Sequence, residues 1–258
     1  MNALIAEQIF DSFGRCNPLE VKAAVNRESR RWFRFNQPDT SFSTIHARTL
    51  SHLANEGQLI TNAEEFEVRA KKLKSGLVSD PQFANLAKGV GVPFLLPAVR
   101  IDDYGTALEE TYLPAVAEAF ETALPNYDFV SHSPGSLSGK LSVARESRHS
   151  RLLDRARTGD VIGWLYPCLL EYSLPAMREI IAALPENFLL AGGIDTCAAL
   201  VGSPDLFLRL DGYPPLLWLA ALDGEKEGIG YHFEAYGYDL TFNRRAHLGK
   251  VAEYWAGA

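Results

Sequence analysis

The rhythm of apolar positions changes near residue 90. Before it, apolar side chains recur at three- and four-residue spacing, the period of a helix face. "NALIAEQIFDSF" places Leu4, Ile5, Ile9 and Phe13 in that pattern, and "TIHARTLSHLANEG" ends at Gly57, where a helix would stop. "NAEEFEVRAKKLKSG" starts from Asn62 as N-cap, carries acidic residues in its first turn and lysines in its last, and stops at Gly76. A further short helix fits 80–89, and "RRWFRFN" at 30–36 is ambiguous. Residues 1–90 therefore read as a helical N-terminal segment.

From Val92 the apolar residues bunch into short runs. "VPFLLPAVRI" precedes a helical pattern from Thr106 to Ala123. "YDFVSHS" precedes "KLSVARESRHSRLLDRA", "DVIGWLYP" precedes "LPAMREIIAAL", and "NFLLAGG" precedes "DTCAALVG". Strand-then-helix units in succession predict a parallel sheet with crossover helices, and continuous apolar runs such as "NFLLA" suit strands buried on both faces. After Ser203 the alternation stops. "PLLWLAAL", the charged turn "DGEKEG" and "IGYHFEAYGYDLTFN" predict an antiparallel hairpin at the sheet edge. Its second strand would set Tyr231, Phe233 and Ala235 on one face and His232, Glu234, Tyr236 and Tyr238 on the other. The expected fold class is α/β: a mostly parallel central sheet of about four strands with crossover helices within residues 91–258, a C-terminal antiparallel hairpin and the helical segment before it.

Composition narrows the partners. A net charge of −7 and a pI near 5.4 argue against a strongly electrostatic nucleic-acid binder, leaving small molecules and proteins as expected partners. No apolar run reaches the roughly 18 residues of a membrane span, and "MNALIAEQIFDSFGR" lacks the basic start of a signal peptide, so no membrane association is expected. Cys16, Cys168 and Cys197 are widely separated, with no CxxC pair. That spacing predicts no disulfide framework and a reducing, cytoplasmic setting.

The richest loop is "SHSPGSLSGKLS" at 131–142. It approaches a nucleotide-binding P-loop but fails it: Gly135 precedes Gly139-Lys140 by four positions, Pro134 stands where glycine is needed, and Leu141 replaces the metal-binding hydroxyl. What survives is a strand-to-helix loop whose backbone N–H groups attract anions, with Ser131, Ser133 and Ser136 as donors and His132 titrating near neutrality. The same residues also make a plain turn. In "FLLAGGIDT", Gly192 and Gly193 before Asp195 and Thr196 allow close backbone approach to a ligand, or simply a tight turn. Arg148, Arg151 and Arg155 share a helix spacing that suits an anionic ligand or a solvated face. His232 and Glu234 with His247 as third ligand define no metal spacing, and no cofactor is indicated.

Two classes of function stay open. One is an enzyme acting on a small polar or anionic ligand at the C-terminal strand ends, with His132 as acid or base and Asp195 or Asp103 as its partner. Ser131, Ser133, Ser136, Gly192, Gly193, Thr196 and Arg148 would hold the ligand. The other is a non-catalytic binding protein that offers the N-terminal helices and the aromatic hairpin to a protein partner. A pocket joining the "SHSPGS" and "GGIDT" loops marks the first class; a flat aromatic patch marks the second.

Overall fold

The computed structural model describes residues 8–29, 33–54, 58 and 60–258. Its helices are α1 (Phe42–His52), α2 (Ala63–Ser79), α3 (Tyr104–Ala107), α4 (Leu113–Ala123), α5 (Ser150–Ala156), α6 (Leu174–Ile180) and α7 (Gly193–Gly202). The strands are β1 (Val92–Leu96), β2 (Phe129–Ser131), β3 (Ser142–Val143), β4 (Val161–Leu165), β5 (Leu216–Trp218), β6 (Leu222–Asp223), β7 (Ile229–Tyr236), β8 (Asp239–Ala246) and β9 (Trp255–Gly257). The architecture is mixed α/β, with a five-stranded mixed sheet in the order β2-β8-β7-β5-β9.

The N-terminal helices follow local signals in part. Asn62 caps α2 by accepting from the Glu65 N–H, as its side chain predicts. The helix then runs past Gly76 to Ser79, because that glycine is exposed and open space surrounds it. The helix expected around Ile9 and Phe13 is absent. There the Asp11 carboxylate accepts from the Phe13 and Arg15 N–H groups, a side-chain turn that competes with the helical ladder, and Phe10 pairs with Cys16. Leu4, Ile5 and Gly57, with 30–32 of "RRWFRFN", lie outside the described residues. Helices α1 and α2 cover β1 and β4 through Ile45, Phe66, Ala70 and Leu95.

The predicted four-stranded parallel sheet does not form. Its first and third members, β1 and β4, pair antiparallel as a separate two-stranded sheet. Register there is set by shape: Phe94 lies opposite Gly163, where an added Cβ would come within 2.4 Å of the ring. The second, β2, joins β8 in parallel, and "NFLLA" enters no strand. The reason lies in α7. All of its residues are buried, so it occupies the centre of the core against β1, α1 and α4 rather than riding on one face of a sheet.

The C-terminal hairpin pairing does form, since β5 and β7 run antiparallel on either side of "DGEKEG". The residues read as one second strand are two, β7 and β8, joined at Gly237-Tyr238 with Gly237 at φ 66, as a two-residue hairpin turn requires. Tyr231 and Phe233 are buried, which withdraws them from the aromatic surface expected of the hairpin. His232 is buried too, because Trp218 packs on its ring at 4.6 Å between centroids.

Candidate functional site

The "SHSPGS" loop already holds anions, and they are the protein's own. Glu109 accepts from the Leu137 N–H at 2.9 Å and from the Ser136 hydroxyl at 2.6 Å. Asp103 caps α3 through the Thr106 N–H at 2.7 Å and also accepts from the Gly139 N–H at 3.1 Å. Both carboxyls are held below their ordinary values: Glu109 chiefly by the Ser136 hydroxyl, and Asp103 chiefly by Thr106. Gly105 presses α3 onto the loop so closely that an added Cβ would sit 1.8 Å from the Leu137 carbonyl oxygen. No helix starts near Ser138; a turn leads to β3 instead. His132 is exposed at the end of β2, its N–H bonded to the Phe242 carbonyl. Ser131 and Ser133 border a separate hollow of about 320 Å³ beside Glu109.

The "GGIDT" loop also meets α3, from the opposite side. The Tyr104 hydroxyl accepts from the N–H groups of Gly193 at 2.8 Å and Ile194 at 3.2 Å, and lies 3.0 Å from His149 Nε2. His149 Nδ1 is 3.2 Å from the Leu190 carbonyl, which only accepts, so Nδ1 carries the proton and Nε2 accepts from Tyr104. Asp195 closes the group: Oδ1 accepts from the Gly192 N–H at 2.9 Å and Oδ2 lies 3.8 Å from His149 Nδ1. Gly192 has no room for a side chain, since a Cβ would come within 2.6 Å of both the His149 ring and the Tyr104 hydroxyl. Burial raises the Asp195 carboxyl above its ordinary value, against the opposing pull of His149. Burial likewise pushes the Tyr104 phenol well up. Thr196 is buried with its hydroxyl unpartnered.

Asp195 is 2% exposed, yet it borders a cleft. The inner chamber, about 370 Å³, lies between β4, α5 and residues 186–191, with apolar walls that include Phe94, Leu152, Leu165 and Leu189. Tyr166 also lines it. That side chain is 8% exposed, and its hydroxyl is buried with no hydrogen-bond partner among the described residues. Outward the chamber meets a second hollow of about 740 Å³ that shares Leu73, Leu77, Arg155, Val161 and Phe188 and adds Arg69 and Lys72. Arg155 and Lys72 have no carboxylate partner among the described residues. Asp80 and Asp160 also border this outer part, and Asp160 is occupied by the N–H groups of Ile60, Thr61 and Ala98. The cleft is thus lined by Asp195 and Tyr166, by apolar walls, by the Arg151–Glu186 pair and by Arg155, with Lys72 in the outer hollow.

The predicted site residues are therefore divided. Asp195 borders the inner chamber, with Gly192, Gly193 and Thr196 in its own turn, whereas Asp103, Ser131, Ser133 and Ser136 belong to the surface side of α3. No hydrogen bond or shared cavity joins His132 to Asp103 or Asp195 among the described residues. Arg148 does not share the face of Arg151 and Arg155. It precedes α5 with φ 60 and donates to the carbonyls of Leu184, Pro185 and Phe188, anchoring the chamber's wall. Arg151 is bound to Glu186. His232 bonds Glu234 at 3.3 Å, and among the described residues no three His, Cys, Asp or Glu side chains gather as metal ligands. Sequence reasoning passed over His149 and Tyr104. A signal for His149 existed: it stands three and four residues before Leu152 and Leu153, on the apolar side of an arginine-rich helix. Comparison with models of known families, with characterised proteins and with solved structures finds no match for this chain.

Proposed function

We propose that the chain is an enzyme that binds a small polar, negatively charged molecule in the cleft between β4, α5 and residues 186–191 and exchanges a proton with it through Asp195. One observation carries the reading: two buried residues, Asp195 and Tyr166, line the same chamber, and the Tyr166 hydroxyl has no hydrogen-bond partner among the described residues. A carboxyl raised by burial and backed by a histidine is the kind of group that serves as general acid or base. Arg155 and Lys72 supply the charge that draws an anion to the mouth. A cytoplasmic setting agrees with three thiols that are all free. No helix among the described residues is long and apolar enough to cross a membrane.

Thermal unfolding with inorganic phosphate, citrate, glutamate and acetate tests the reading, since a ligand that binds only the folded state raises the midpoint. At least one of these is expected to stabilise the wild type, and Tyr166→Phe and Arg155→Glu to abolish the shift. A shift that survives both substitutions, or none with any of the four anions, overturns it.

A second reading rests on the β7–β8 turn. Tyr236 is 77% exposed there, with Tyr238 and Val130 also on the surface. These residues suit a protein partner, and loss of a pull-down partner on Tyr236→Ser would distinguish it.

A further inference from the structure

A β-strand has two hydrogen-bonding edges, and among the described residues β4 uses one, pairing with β1. Successive residues of a strand point to opposite faces, yet all five residues of β4 line the inner chamber. A cavity bordered from both faces runs along the strand's edge. That edge, "VIGWL", has no proline and no charge, which are the usual means of keeping a free strand from pairing.

The opposite wall is "NFLLA", the run that reads as a strand and pairs with none. Leu190 spends its N–H on the Ser147 carbonyl and its C=O on His149, and Ala191 bonds to Ala258 and Ala221. Leu189 lines the chamber, and its N–H and C=O have no partner among the described residues. Unpaired backbone therefore borders the slot on both sides.

We propose that the molecule taken by this cleft is a short acidic peptide in extended conformation, added as a strand to the free edge of β4. The inference rests on the binding reading above and specifies its ligand class. Main-chain groups supply the affinity and side chains the selectivity, as in other strand additions. Five residues of β4 span about 16 Å and so accommodate roughly five peptide residues. Apolar peptide side chains meet Leu152, Leu165 and Phe94, and acidic ones face Arg155 and Lys72 at the mouth.

The test uses the full chain and a pool of N-acetylated hexapeptides with Asp or Glu at alternate positions and Val, Ile, Leu or Phe between them. Amide hydrogen exchange at Leu189 and at alternate residues of β4 is expected to slow on binding. N-methylation of alternate peptide amides should weaken binding about tenfold, as should exchanging the acidic residues for lysine. Arg155→Glu should reverse the charge preference. If the peptides leave exchange at these amides unchanged while citrate or phosphate still raises the melting temperature, the peptide inference fails and the small-anion reading stands. If peptides protect these amides and Asp195→Asn binds and turns over as the wild type does, the inference stands and proton exchange through Asp195 fails. Silence from both sets of probes ends both.

Discussion

Two glycine-containing loops meet the short helix α3 from opposite sides, and they solve one problem differently. Each presents backbone N–H groups that need acceptors. At "SHSPGS" the acceptors are two solvent-facing carboxylates, Asp103 and Glu109, whose acidity the hydrogen bonds strengthen. At "GGIDT" they are a buried phenol and a buried carboxyl, Tyr104 and Asp195, and burial shifts both the other way. The same local device yields a closed surface turn in one environment and, beside a cavity in the other, a carboxyl that burial shifts upward. Burial makes the difference: hydrogen bonds lower the two exposed carboxyls, whereas at Asp195 the exclusion of water outweighs bonds of the same kind.

Substitutions at the two junctions sharpen the contrast. Gly105→Ala should have the largest effect, because its Cβ would overlap a backbone oxygen that has no rotamer to escape into; little folded protein is expected by circular dichroism. Gly192→Ala meets side chains that have some freedom to shift, and should lose roughly 3 kcal/mol in urea unfolding. Tyr104→Phe keeps the ring but strands His149 Nε2 and the N–H groups of Gly193 and Ile194, for about 2–3 kcal/mol. Asp103→Ala, at the solvent-facing junction, should cost less than Tyr104→Phe in the same assay. Equal losses for these last two would erase the distinction between the junctions.

The smallest effect concerns pH, and its sign differs between the sides. Asp103 and Glu109 have lowered folded values, so their stabilisation is present above the ordinary carboxylate range and is lost as pH falls through those values. Asp195 has a raised folded value, so its contribution is full below 3.8 and is lost as pH rises through the folded value. Asp195→Asn should therefore gain on the wild type as pH climbs above about 4, whereas Asp103→Asn should converge with the wild type at acid pH. Urea midpoints measured across that range decide it, and parallel profiles for the two variants would break the comparison.

How much of this was legible depends on the range of the interaction. The cap at Asn62 and the strand cores "VPFLL" and "VIGWL" are set within a few positions, and the pairing across "DGEKEG" joins residues no more than 16 apart, as Leu217 and Phe233 are. The expected rim set His132 beside Asp195 on the assumption that the four apolar runs shared one sheet, and these runs do not share one. Nothing local distinguishes a strand that pairs in parallel from one that pairs antiparallel. The segment "IDTCAALVG" did carry a clue, since its polar residues, Asp195 and Thr196, are confined to the first turn, and a helix with no polar face beyond that belongs at the centre of a core rather than on a sheet.

Sequence alone determined the mixed α/β class, where most elements lie, and the two loops whose backbone would demand acceptors. Those follow from periodicity, capping and the φ requirements of glycine, which act over one or two turns of chain. Only the tertiary structure decided that Asp103, Tyr104 and Glu109, in and beside α3, would meet those N–H groups, that α7 would fill the centre, and that β4 would keep an open edge beside Asp195. Each depends on residues far apart in the chain arriving in contact, as Glu109 and Leu137 or Tyr104 and Gly193 do, and on which carboxyl loses its water, quantities that no local pattern encodes.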